Sequence, residues 1–152
     1  MKGPLRSYWP APLIFAGGFV LGLALEWAMP LELLRGRARW IAGGAMVAAG
    51  IALGLWSLAT MRRHRTSPMP FRPAAALVTD GPYGISRHPM YVSMVLFWSG
   101  AAILAHAPWA LMLMPIQMTL LHLKTMLPEE RYLAEHFAAE FAAYRARVRP
   151  WL

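Results

Sequence analysis

Twenty-two consecutive residues, Trp40 to Met61, carry no charged side chain. A helix crosses the hydrocarbon core of a bilayer in about 20 apolar residues, and backbone polar groups there must pair within the chain. A run of this length and composition therefore predicts a membrane helix. Two other runs repeat the signal. Between Pro10 and Met29 the only charge is Glu26, and across the 33 residues from Pro89 to Leu121 there is no Asp, Glu, Lys or Arg and one histidine, His106. The last run is too long for one span. Ala105-His106-Ala107-Pro108 in its middle reads as a turn, because proline cannot continue a helix and restricts the residue before it. The expected fold is all-α, a single membrane domain over residues 1–152 built as a bundle of four transmembrane helices at about 10–29, 40–61, 89–105 and 108–124. A cytoplasmic amphipathic helix at 129–148 is expected to complete it.

Charge supplies the orientation. Only 14% of the residues are charged, against roughly a quarter in a soluble domain, and a chain that is 58% apolar has too much to bury to remain disordered. With four spans the N-terminus, the 62–88 segment and the tail after Leu123 share one side. That side holds Lys2, Arg6, five arginines from Arg62 to Arg87, and Lys124, Arg131, Arg145, Arg147 and Arg149. The opposite side holds Arg35, Arg37 and Arg39 only. Positively charged loops stay inside, which predicts an integral protein of the bacterial inner membrane with both termini in the cytoplasm. The net charge of +8 is then a topology signal and an attraction to anionic headgroups. No nucleic-acid partner is expected, since the arginines are divided among loops and no recognition motif is present. With no cysteine, a disulfide scaffold and a thiolate metal site are excluded. The five histidines, at 64, 88, 106, 122 and 136, lack ligand spacing, so no metal is expected. Lys2 and Arg6 ahead of an apolar run also fit a signal peptide, but Glu26-Trp27 sits where a cleavage site would be expected, and a retained first helix is expected.

Within the spans, Gly18-x3-Gly22 and Gly50-x3-Gly54 have the spacing that lets helix backbones approach, and intramolecular packing is the expected use. Pro115 should kink the fourth span. Glu26, the one intramembrane carboxylate, is read as an interface anchor within reach of Arg35 or Arg37, although such groups are functional suspects by default.

Two segments at the cytoplasmic end carry the chemistry. In residues 77–93, Asp80-Gly81-Pro82 is a turn and Arg87-His88-Pro89-x-Tyr91 lies at the membrane boundary. Pro89 suits the first helical position, which makes His88 the N-cap of the third span, beside unpaired N–H donors that favour an anionic or electron-rich group. On composition alone, the favoured reading is that Arg87 and His88 are interface anchors and Tyr91 an aromatic-belt residue. The second segment opens at Pro128-Glu129-Glu130. Leu133, Phe137, Phe141, Tyr144 and Val148 follow at steps of four, four, three and four, an apolar stripe, with Glu135, Glu140, Arg145 and Arg147 opposite. Glu129 and Glu130 complement the helix dipole. An acidic pair beside anionic lipid also suits a cationic ligand. The hairpin 89–124 returns both segments to one level, so a pocket at the cytoplasmic mouth is expected, open to water on one side and lipid on the other.

Leu77-Val78-Thr79-Asp80-Gly81-Pro82-Tyr83, Arg87-His88-Pro89-Met90-Tyr91, and Glu129-Glu130-x2-Leu133 with Phe137 to Tyr144 together resemble the isoprenylcysteine carboxyl methyltransferase and phospholipid methyltransferase group of integral membrane enzymes, over about residues 60–152. The resemblance implies S-adenosyl-L-methionine in a cytoplasmic pocket between the last two spans and the C-terminal helix. It implies His88 and Tyr91 at the adenosine end and Glu129 or Glu130 at the methionyl ammonium. Tyr83, Arg87, Leu133 and Tyr144 would complete the wall. Arg87 and Glu130 are the implied catalytic residues, Arg87 for an anionic acceptor head and Glu130 or His88 as a proton relay. Departures occur where the group has Phe-Gly-x2-Tyr-x2-Tyr and this chain has Phe137-Ala138-x2-Phe141-x2-Tyr144, and where Ser93 replaces a usual glycine.

The implied reaction is methyl transfer to a lipophilic or lipidated acceptor, an isoprenylcysteine-type carboxylate or a phospholipid amine, with membrane lipids as surroundings. Two alternatives are retained: an NADPH-dependent membrane reductase of sterol or enone type, for which the chain is short, and a non-catalytic membrane scaffold subunit. Arg62-Arg63-His64-Arg65 could be argued for a 2′-phosphate but fits a positive-inside stop signal.

Overall fold

Proline and glycine, more than any polar residue, set the boundaries of the helices in the computed structural model, which describes residues 10–32, 36–67 and 76–152. Lys2, Arg6, Arg35 and Arg72, which enter the charge count, lie outside the described residues. Helix α1 (Ala11–Ala28) begins behind Pro10 with Pro12 in its first turn, where a missing N–H costs nothing. Helix α2 (Gly36–Arg63) is the longest of the early helices and ends on Arg62 and Arg63. A 3-10 turn at Gly81–Gly84 leads into α3 (Pro89–Leu104), with Pro89 in its first turn and His88 at its N-cap. Next come α4 (Pro108–Met112), α5 (Met114–Leu121), a π-helical turn (His122–Met126) and α6 (Leu127–Arg147). Among the described residues every regular element is helical.

Three helical stretches are long and apolar enough to cross a membrane: Ala11–Ala28, Gly36–Arg63 and the continuous Pro108–Arg147. Pro89–Leu104 is apolar but shorter. Leu13, Val20, Leu21, Ile41, Ile51, Leu55, Ile116 and Leu120 all point outward, which in water would be an aggregation surface and in lipid is a solvated one. Trp27, next to the end of α1, and Trp40, in the first turns of α2, are exposed, as suits side chains at headgroup level.

Two sequence expectations need correction. The fourth span and the C-terminal helix, expected separately at 108–124 and 129–148, run into one another. Pro128 has no N–H to return to Lys124, and the chain takes a π turn there, with the Leu127 N–H bonded to the His122 carbonyl five residues back. The expected single helix 129–148 is also broken, because Phe137 and Ala138 leave helical geometry. The Pro115 interruption falls at Leu113, between α4 and α5. Proline at 115 cannot donate to the Leu111 carbonyl. The turn before Pro108 is closed by the Ala107 N–H on the Ala102 carbonyl (2.9 Å), with His106 left-handed at φ 56°, an arrangement that ends helices.

Helices α2 and α3 pack face to face, and α1 lies against α3, α4 and α5. Small residues allow it. A Cβ on Gly22 would lie 2.5 Å from the backbone of Ala110, and one on Gly50 would lie 2.7 Å from the Phe97 nitrogen and 2.8 Å from the Ser93 carbonyl oxygen. Gly18 faces the side chain of buried Gln117, and Gly54 faces Ser93, so both glycine pairs serve packing within the chain. Backbone atoms cannot step aside as a side chain can. Gly50→Val is therefore expected to cost at least the ~1–3 kcal/mol of ordinary overpacking, read as a lower unfolding midpoint in detergent. Gly44→Val, where nothing lies within 4 Å, should leave the midpoint in place; equal loss in both variants would refute the close-approach account.

Glu26 accepts a hydrogen bond from the Leu31 N–H (2.8 Å), closing the turn after α1. Its suggested partner Arg35 lies outside the described residues. The Trp109 indole N–H donates to the Met29 carbonyl (2.7 Å), tying the start of α4 to the end of α1.

Candidate functional site at the 81–91 loop and the start of α6

The loop into α3 is held by the end of α2. Gly81 has φ 57°, and a Cβ there would meet the Thr60 hydroxyl at 3.1 Å; both conditions favour glycine. His64 Nε2 lies 2.7 Å from Asp80 Oδ1 across the same junction. The 3-10 turn buries Pro82 and Tyr83, and Ser86, His88 and Pro89 are buried behind it.

Five of the singled-out side chains converge here. Arg87 Nη2 lies 3.0 Å from Glu130 Oε1, with only 7% of the arginine side chain and 11% of the glutamate side chain exposed. The same carboxylate oxygen is 3.2 Å from His88 Nε2. Glu129 Oε2 accepts from the Tyr91 hydroxyl at 2.9 Å and lies 3.8 Å from His88 Nδ1. The His88 imidazole thus stands between two carboxylates and stacks on Tyr91, ring centroids 5.5 Å apart and planes 19° apart. Glu129 and Glu130 are neighbours on a helix, about 100° apart around its axis, and so meet opposite nitrogens of His88 and otherwise different partners. Glu130 turns inward to Arg87, while the Glu129 side chain remains 32% exposed.

Electrostatics follow from this packing. Burial alone would raise the Glu130 carboxyl, but the hydrogen bond with His88 and the charges of Arg87, His88 and Arg145 outweigh it and hold the group below its ordinary value. Burial pushes the Tyr83 and Tyr144 phenols up, out of reach of neutral pH, so both act as neutral hydrogen-bonding groups. The Tyr144 hydroxyl donates to the Tyr83 carbonyl at 2.6 Å, joining the second half of α6 to the loop. Arg87 is not fully satisfied. Its Nε and Nη1 are buried without a hydrogen-bond partner, and orphaned donors on a guanidinium are costly enough to mark a place for an anionic oxygen.

Arg87, His88, Tyr91, Glu129 and Glu130 are brought together in one cluster, and Tyr83 and Tyr144 meet beside it. Leu133 is half-buried on the apolar stripe, where Phe141 and Tyr144 are buried and Phe137 sits at the helix break. Sequence reasoning missed the contribution of Ser86 and of Arg149 and Pro150. Ser86 pairs with Arg149 as an isolated bridge, and the bonds involved use main-chain carbonyls that leave no side-chain signature.

One of the comparisons with known proteins returned a match. The family model described as phospholipid methyltransferase matches residues 38–140, which covers nearly all of α2, the 81–91 loop and the carboxylate pair. No curated protein matches the chain, and no solved structure does.

Proposed function

The chain belongs to the phospholipid methyltransferase family, a family of methyltransferases acting on lipid, and from that premise we propose that it transfers a methyl group from S-adenosyl-L-methionine to a lipophilic acceptor at the cytoplasmic membrane face. We propose with it a four-span topology, α3 and the 108–124 stretch forming a hairpin, with both termini in the cytoplasm and the whole chain one membrane domain. The observation that carries the reading is the buried Arg87–Glu130–His88 cluster with two arginine donors unpaired.

The residues present fit the cofactor. It carries a sulfonium and an ammonium against one carboxylate. Around the His88 ring the site gathers two carboxylates, with one guanidinium on Glu130, and aromatic faces at Tyr91 and His88 that suit a purine or a cation. Glu129, the more open acid, is the one we assign to the ammonium. His88 and Tyr91 form the adenosine wall. Glu130, engaged by Arg87 and His88, orients those two groups. The Arg87 Nε and Nη1 donors are assigned to an anionic oxygen of the acceptor, a phosphate ester or a carboxylate. When bound, S-adenosylmethionine supplies an electrophilic methyl, so the protein's task is mainly positioning and exclusion of water. A carboxylate acceptor needs no base. An amine acceptor must first lose a proton, and His88, between the two carboxylates, is placed to take one.

The test uses purified protein in lipid nanodiscs, methyl-labelled S-adenosylmethionine and a total lipid extract of the host. Label recovered on a lipid is expected, together with calorimetric binding of S-adenosylhomocysteine. Binding of NADPH and not of S-adenosylhomocysteine would point to the reductase alternative. Absence of label with every lipid fraction would sink the proposal.

A further inference from the structure

Beyond the residues that face the cofactor, the chain after α6 turns back onto the loop that carries them. Helix α6 ends at Val148 in extended geometry, and the next residues run beside Ser86 and Arg87. The Arg87 backbone N–H donates to the Arg149 carbonyl at 2.9 Å. The Ser86 hydroxyl donates to the Pro150 carbonyl at 3.1 Å and accepts the His88 backbone N–H at 3.1 Å. One buried hydroxyl, 2% exposed, thus joins two segments 64 residues apart. Trp151 then packs against the core cluster that includes Leu121 and Met126, and Tyr91 packs on the same cluster.

We propose that Ser86 and the Arg149–Trp151 segment form a latch that sets the register of Arg87 and His88 against Glu130 and Glu129, with Ser86 as a positioning residue for the site. The hydroxyl is suited to this because it donates and accepts at once. His88 is the N-cap of α3, and its N–H precedes the helix and finds no acceptor in the helical ladder. Ser86 supplies that acceptor in a place closed to water. Without it the His88 N–H and the Pro150 carbonyl both lose a buried partner, and the His88 ring can rotate away from the two carboxylates. Supporting contacts of this kind fix a reactive geometry to fractions of an ångström. The consequence for catalysis rests on the methyltransferase reading above, while the latch does not.

The experiment therefore has two arms on the full chain in nanodiscs. In the first, hydrogen exchange is followed across residues 83–91 for Ser86→Ala, Trp151→Ala and the double variant. Each single change is expected to speed exchange there about tenfold, from a hydrogen bond worth roughly 1.4 kcal/mol, and the double variant is expected to add little, since both remove the same latch. Ser86→Cys, which keeps the volume with a weak donor, should behave like Ser86→Ala. In the second arm, kcat/KM for methyl transfer falls about tenfold in each single variant without a further drop in the double variant. Unchanged exchange at 83–91, or fully additive effects, would overturn the latch. Non-additive exchange among the variants, together with a wild type that methylates no lipid, upholds the latch and removes the methyltransferase reading instead.

Discussion

Glutamine at position 130 is expected to lower the unfolding midpoint in detergent by on the order of 10 °C. Glu130 and Arg87 are both nearly buried, and Glu130 Oε1 serves the guanidinium at 3.0 Å and the His88 ring at 3.2 Å. Removing the carboxylate charge leaves a guanidinium in a place where water cannot replace it. The cost of breaking a buried pair from one side is about 3–5 kcal/mol, and a chain of this size loses roughly 2–4 °C per kcal/mol. The intact pair need not be worth that much, so the test is a cycle: Glu130→Gln, Arg87→Met and the two together. Each single change should be costly. The double variant should lose clearly less than their sum, because the stranded charge is then gone. Additive losses would refute the pair.

Acid should reveal the same pair. Glu130 is held below its ordinary value of 4.5 in the folded chain. A group with a depressed folded pKa gives its full stabilisation above the unfolded value and loses it as the pH falls through the folded one. The contribution of the Glu130 carboxyl itself to the gap in midpoint between wild type and Glu130→Gln is therefore at its full size above pH 4.5. The gap should narrow below pH 4.5. A gap that persists unchanged into acid would mean that the carboxylate charge is not what stabilises this corner.

How much of this was legible follows from where the physics sits. Charge-free runs gave the apolar helices because burial in lipid is a property of composition, and α1, α2 and α3 lie where those runs lie. The Arg87-His88-Pro89 start of α3 was legible because proline fixes the first turn. What the sequence could not separate was Glu129 from Glu130. Adjacent residues on a helix differ by about 100°, and the π turn at His122–Met126 decides which of them faces inward. Its only sequence trace is Pro128, which also fits an ordinary helix start. The break at Phe137–Ala138 was equally hidden, since an apolar stripe at steps of three and four continues through it. The latch left no trace at all, because it is made from carbonyls at Arg149 and Pro150 and a serine that reads as unremarkable loop.

Glu129→Gln is expected to weaken the cofactor while leaving the fold alone. Glutamine keeps the shape and an oxygen to accept the Tyr91 hydroxyl, and the side chain is already 32% exposed, so the midpoint should move by no more than about 0.5 kcal/mol implies. A hydrogen bond to a charged group is worth roughly 1.5–3 kcal/mol, which is a dissociation constant raised about 10- to 150-fold. Comparing two ligands locates the contact. S-adenosylhomocysteine keeps the ammonium and lacks the sulfonium charge. If Glu129 faces the ammonium, both ligands weaken by the same factor; if it faces the sulfonium, only S-adenosylmethionine weakens. Tyr91→Phe should give a smaller loss in the same direction, because it removes the group that holds the carboxylate and not the charge. If calorimetry finds both ligands unaffected by Glu129→Gln, the assignment fails, and Glu130, for all its engagement with Arg87 and His88, becomes the acid that meets the cofactor.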